Sequence, residues 1–282
     1  MPTVVLVTVL GAALLHAGWN ALAKGRSGSD PLVATLVLAI GCGAAALPVL
    51  VVAGLPSRES AVYVVVSGVV HVVYFLPVGL SYRYADYSAV YPLMRGTAPL
   101  ITTLLGATFL AEPLTAMLLG GVLLLSAGVL GLGTNAMKQG GLNSRGLLVA
   151  VANIAVIVGY TLLDGVGVRL SGNAAGYVAA MLVLTAILLA PVALWLRPTT
   201  FLADFEAHWK IGLVGGTMAM VSYGIALWAM TRAPIGAVAA LRETSVLFGT
   251  AIAAIVLKER FGVERWIAAA AICAGLGLIR LA

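Results

Sequence analysis

The sequence predicts an all-α polytopic membrane protein with ten transmembrane helices arranged as two inverted five-helix repeats. Three observations predict it. The 282 residues are 62% hydrophobic and only 9% charged, where a soluble domain carries about a quarter of its residues as charged side chains. Too little polar surface is left to cover a water-soluble globule, so the bilayer is the natural solvent and helices the default spanning structure. The chain divides at polar or Gly/Pro-rich joints into ten apolar runs, each close to the ~20 residues that a spanning helix needs. Finally, the segment from Leu80 to Glu112 aligns without a gap onto Leu227 to Glu259 at a shift of 147, with eight of 33 positions identical. Leu and Ala matches are cheap in so apolar a chain; Arg95/Arg242, Thr97/Thr244 and Glu112/Glu259 are not.

In order, the runs span residues 3–23, 30–53, 60–82, 87–109, 114–135, 145–168, 173–196, 208–229, 234–257 and 263–281. The first has no basic residue ahead of it and no small-residue cleavage site, so it reads as a retained helix rather than a signal peptide. The longest joint lies around Pro198 to Lys210, with His208 and Trp209 at a helix start. The centre falls at Gly140–Gly141, giving repeats 1–139 and 140–282. Gly18-Trp19-Asn20 lies over Gly159-Tyr160-Thr161 at a shift of 141, Pro48 over Pro191 at 143, and Gly68 over Gly215 at 147. Five helices per repeat is odd, so the second copy enters from the opposite side of the membrane. Period-two alternation is absent, which excludes barrel strands.

The net charge of +6 is spread over the joints and marks topology rather than a nucleic-acid face. Ten basic residues fall in one set of connections and four in the other, which places both termini outside. Cys42 and Cys273 lie in apolar runs and imply neither a disulfide nor a metal site. There is no Gly-x-x-x-x-Gly-Lys loop and no His-Glu-x-x-His, so the sequence offers no enzyme constellation, no metal and no cofactor.

An ionisable residue at helix centre costs ~2.5–3.5 kcal/mol on insertion scales and marks a site. Arg95 and Arg242 each sit eight residues into their run, about 12 Å deep at 1.5 Å per residue. Tyr87, Tyr91 and Arg95 share a stripe that could take an aromatic or carboxylate-bearing solute by stacking and a guanidinium fork. The alternative is that each arginine binds helix-end carbonyls and locks helices together. Glu243 points about 100° away from Arg242 on a continuous helix, so the two need not pair.

Three further stripes combine polar and aromatic residues: His16, Trp19, Asn20 and Lys24; His71, Tyr74, Phe75 and Tyr82; and Asn153, Tyr160 and Asp164. Trp19 and Tyr82 could equally be interface aromatics, Lys24 a snorkelling residue, and Asp164 a solvated helix-end residue. Together they point inward to a polar cavity. The candidate substrate contacts are therefore His16, Trp19, Asn20, His71, Tyr74, Phe75, Tyr91, Arg95, Asn153, Tyr160 and Arg242. Glu112-Pro113 and Glu259-Arg260 mark helix joins, where Glu complements a helix N-terminus. Gly120, Gly121, Ser126, Gly128, Gly131, Ala271 and Gly275 make the fifth and tenth helices small-faced and suited to close packing. Pro77, Pro92, Pro99 and Gly224 are bend points within helices.

Ten helices in two five-helix repeats, with Glu112-Pro-Leu-Thr and Glu259-Arg-Phe-Gly between the last two helices of each half, resemble the drug/metabolite transporter superfamily in its ten-helix EamA-type branch. The resemblance covers the whole chain, and the stretch His16-Ala-Gly-Trp-Asn20 fits it. It implies a central substrate cavity ringed by helices one to four and six to nine, with five and ten behind. It implies a multi-pass protein of the plasma (bacterial inner) membrane that moves small metabolites, amino acids being the first guess for cargo, with the lipid bilayer and a small-molecule substrate as partners. The expected state is a monomer, with a dimer as the alternative. In one respect the chain departs from the family, whose ten-helix members have both termini in the cytoplasm. The expected activity is secondary or facilitative export by alternating access, not catalysis. Competing readings are a flippase for a lipid-linked headgroup and a non-transporting assembly component.

Overall fold

The computed structural model describes residues 1–24, 31–84, 87–138, 142–196, 201–257 and 262–282. The side chains of Lys24, Phe75, Pro77, Tyr82 and Tyr87, and residues Gly140, Gly141, Pro198, Glu259 and Arg260, lie outside what it describes. The fold is all-α, with no strand among the described residues. The helices are α1 (Thr3–Lys24), α2 (Pro31–Ala53), α3 (Ala61–Tyr84), α4 (Tyr87–Phe109), α5 (Ala116–Lys138) and α6 (Ser144–Leu170), followed by α7 (Ala174–Leu196), α8 (Phe201–Met230), α9 (Ile235–Arg242), α10 (Ser245–Leu257) and α11 (Val263–Leu281). Among the described residues, seven stretches are long and apolar enough to cross a membrane, one of them running from α9 into α10.

Two differences from the sequence reading have physical causes. α8 starts at Phe201, not near 208, because Phe201 is buried against Val33, Leu36, Leu189 and Ala193, with Phe205 packed beside it. Phe201 and Phe205, one turn apart, thus share the packed face of this polar-looking joint, and His208 sits inside α8 with its Nδ1 on the Asp204 carbonyl. The expected ninth helix, 234–257, is broken. Glu243 N–H bonds Ala240 O, Thr244 N–H bonds Leu241 O, and Leu247 N–H bonds Thr244 O. This run of i→i−3 bonds tightens the backbone between α9 and α10, a feature that often marks a functional joint.

The chain forms two compact units, each drawing on both sequence halves: residues 1–14, 80–162 and 232–282 in one, and 15–79 and 163–231 in the other. In the first unit, α5 and α11 meet at glycines. A Cβ on Gly121 would lie 2.8 Å from Gly275 O, and one on Gly128 2.8 Å from Ala268 O. Without a hydrophobic drive between helices in lipid, such close approach is what stabilises the pair. In the second unit, α2 meets α8 through Gly41 against Gly212 and Gly216 against Cys42, and meets α7 through Gly43 against Ala186.

Loop ends of the second unit are clasped. Ser57 N–H donates to Ser171 O at 3.1 Å, the Ser57 hydroxyl to Leu170 O at 2.9 Å, and Asn173 Nδ2 to Ala53 O at 2.7 Å. In the first unit, Glu112 reaches from the α4–α5 joint to the start of α9 and accepts from Ile235 N–H at 3.0 and 2.9 Å. The helix N-terminus it complements is therefore that of α9, while its own α5 starts four residues on, at Ala116.

Candidate functional site

In the first unit, α4 and α9 bring an arginine and a glutamate together. Arg95 Nε lies 2.7 Å from Glu243 Oε2, and the side chains are 9% and 6% exposed. Glu243 occupies the α9–α10 break, where the chain leaves its regular helical path, and Arg242 closes α9 beside it, also buried. Tyr91, one turn before Arg95 on α4, holds its ring 5.9 Å from the Arg95 guanidinium carbon. The ring face favours the cation. α4 carries Pro92 and Pro99 on either side of Arg95, and Gly96 is pressed against Leu130 of α5. Gly236 abuts Thr103, which sets α9 close to α4.

This cluster holds two guanidiniums and one carboxylate. Such a pair costs desolvation that its mutual attraction offsets only when the geometry is good, and removing either partner strands a buried charge. Chemically it presents, side by side, a fork for a carboxylate and an acceptor for an ammonium. Asn153 and Tyr160 of α6 belong to the same unit and are buried. Among the described residues neither Oδ1 nor Nδ2 of Asn153 has a hydrogen-bond partner.

The remaining described sequence candidates fall in the second unit. His16 and Trp19 make an edge-to-face ring pair with centroids 5.1 Å apart, and Asn20 Nδ2 donates back to His16 O at 2.8 Å. The Trp19 Nε1 is buried with no hydrogen-bond partner among the described residues. Trp19 also lines a cavity of about 40 Å³ with Val37, Leu38, His208 and Gly212, apolar and large enough for little more than water. On α3, His71 is buried, with Nδ1 3.0 Å from Ser67 O, and its ring meets Tyr74 at 6.5 Å and Tyr223 at 5.8 Å, both edge to face.

Asp164 is not a solvated helix-end residue. It is fully buried, and its carboxylate accepts from the Tyr177 hydroxyl of α7 at 2.9 Å and from the Tyr223 hydroxyl of α8. Sequence reasoning missed both tyrosines, and it missed the partnership of Glu243 with Arg95. A signal was available for Asp164, since a carboxylate six residues inside a 27-residue apolar helix is already costly to expose to lipid. None was available for the tyrosines, each the single tyrosine of its helix, because only the tertiary packing turns their hydroxyls to Asp164.

No curated protein matches the sequence. A solved crystal structure superimposes at a TM-score of 0.77 over 100% of this chain and 99% of that one, with 19% identity, a likeness that shows the fold alone. Residues 144–281, just under half of the chain, match the model of the EamA-like transporter family, which supports a multi-pass membrane transporter.

Proposed function

We propose that this protein is a secondary or facilitative transporter of the plasma membrane that exports a small metabolite such as an amino acid by alternating access. The observation that carries the reading is the buried Arg95–Glu243 pair at the break between α9 and α10. A zwitterion can exchange partners with such a pair. Its carboxylate takes the Arg95 fork and its ammonium takes Glu243, so each charge leaves one partner only as it gains another. Arg242 biases the cluster toward the carboxylate end. A broken helix supports the reading, because transporter sites near the midplane are commonly built at interrupted helices whose backbone can rearrange. Tyr91 supplies a stacking face, and Asn153, whose amide has no partner among the described residues, supplies polar contacts. His16, Trp19, Asn20, His71, Tyr74, Phe75 and Tyr160 are proposed as further contacts along the path.

The test is reconstitution into liposomes with a panel of labelled amino acids. Uptake above that of empty liposomes is expected for at least one of them, and uptake equal to empty liposomes for all removes the amino-acid reading. At equal expression, Arg95→Ala and Glu243→Gln should each lower transport at least tenfold, and Arg242→Ala by less. Full transport in both Arg95→Ala and Arg242→Ala would defeat the arginine argument.

A further inference from the structure

We propose that Asp164, held by Tyr177 and Tyr223, is a proton-binding site that couples transport to a proton gradient; this deepens the transport reading above and rests on it. The carboxylate is fully buried on α6, and its only partners among the described residues are two neutral hydroxyls. The Arg95–Glu243 cluster balances its charge with guanidiniums; Asp164 does not. The nearest cation along α6, Arg169, directs its Nε to Met230 O at 2.8 Å. A lone carboxylate in a membrane helix is held cheaply only when its charge can be cancelled, and a proton cancels it.

Space decides between a proton and a larger cation. Tyr177 is fully buried. One turn after Asp164, a Cβ on Gly167 would overlap the Tyr177 hydroxyl and lie 2.6 Å from Tyr63 Cβ. That packing leaves no room beside the Tyr177 hydroxyl for a group the size of an ammonium, whereas a proton needs none. The titratable and charged groups packed around it are Tyr63 and His71 on α3, Tyr177 on α7, Tyr223 on α8 and Arg169 on α6 itself. Asp164 lies six residues from the end of α6, ~9 Å along the axis, which keeps the route from one aqueous face short.

Protonation has a structural consequence. The carboxylate takes one proton from the aqueous phase and forms one O–H bond. If it forms at Oδ2, that oxygen becomes a donor, and the Tyr223 hydroxyl must turn from donor to acceptor. Tyr223 is one tie between α6 and α8, beside that from Arg169 to Met230, and its ring lies edge to face with His71 of α3. Loading and unloading a proton therefore changes how α8 is held. The site is also confined to one repeat, since Asp164, Tyr177 and Tyr223 stand over Ala23, Ala34 and Leu76 at the shifts of 141, 143 and 147 that relate the halves.

The experiment has two readouts on the full chain in liposomes. Infrared titration of the native protein is expected to show a protonated-carboxyl band that rises as pH falls and is missing from Asp164→Asn. The same band in both proteins overturns the assignment. Uptake of the labelled amino acids is then compared with and without a pH gradient of either sign. A native ratio of several-fold that falls to one in Asp164→Asn supports coupling, and a native ratio of one, or an unchanged ratio in the variant, overturns it. Should Asp164→Asn fail to fold, Tyr223→Phe retains the carboxyl and removes one donor. Its infrared midpoint is expected to move, and an unmoved midpoint overturns the proposal. If no amino acid is transported at all, the amino-acid reading fails while the infrared titration still decides the proton site.

Discussion

At Glu112, two carboxylate oxygens converge on a single backbone N–H, that of Ile235 at the start of α9. Pro234 precedes it and provides no side-chain cap, so the glutamate does the work of an N-cap from 123 residues away in sequence. Losing a cap costs about 0.5–2 kcal/mol. Glu112→Ala is therefore expected to lower thermal stability by that amount, read as a lower melting temperature in detergent, and Glu112→Gln by less, since the amide keeps an acceptor oxygen. A melting temperature unchanged in Glu112→Ala would show the contact to be idle. The site residues show what a sequence does and does not reveal at this scale. Arg95 and Arg242 were legible as single intramembrane charges, because cost alone marks them. The partner of Arg95 was not, because a pairing between α4 and the α9–α10 break depends on tertiary placement. Asp164 was visible as a member of an inward stripe, but a solvated helix end stood open as its alternative, since its burial is set by tyrosines on two other helices.

For whole helices, apolar length predicted most boundaries to within a few residues, as α1, α2, α4, α7 and α11 show. It failed where packing or backbone geometry overrides composition. The residues from 201 to 210 looked like a joint because Asp204, Glu206, His208 and Lys210 dominate them, yet Phe201 and Phe205 hold them in α8. The break after Arg242 leaves no mark in composition, with no Gly or Pro at 243 or 244. Close helix pairs were readable from small residues, and the α5–α11 seam offers a stability test. Gly121→Leu or Gly275→Leu places a side chain where backbone atoms lie within 3 Å of the added Cβ. Overpacking costs about 1–3 kcal/mol, so each variant should melt earlier and yield less monodisperse protein. Gly120→Ala, with open space beside it, should match the native chain.

Across the whole molecule, the all-α membrane class was legible from composition, and the direction of insertion is the charge-based expectation still to be measured. On a Cys42→Ser, Cys273→Ser background, single cysteines added beside Arg58 and beside Arg145 should label from opposite sides of the membrane. Labelling of both from one side would defeat the five-plus-five inverted reading. The units raise a separate point about how the protein is made. Ser57 is clasped to Leu170 and Ser171, and Asn173 to Ala53, partners 113 to 120 residues apart. A ribosome releasing the chain from its N-terminus has inserted α1 to α5 long before those partners exist. The early helices must wait in the bilayer with their loop ends unclasped and their glycine faces uncovered, which makes the interval before α6 to α8 emerge the period when quality-control proteases have the most to cut.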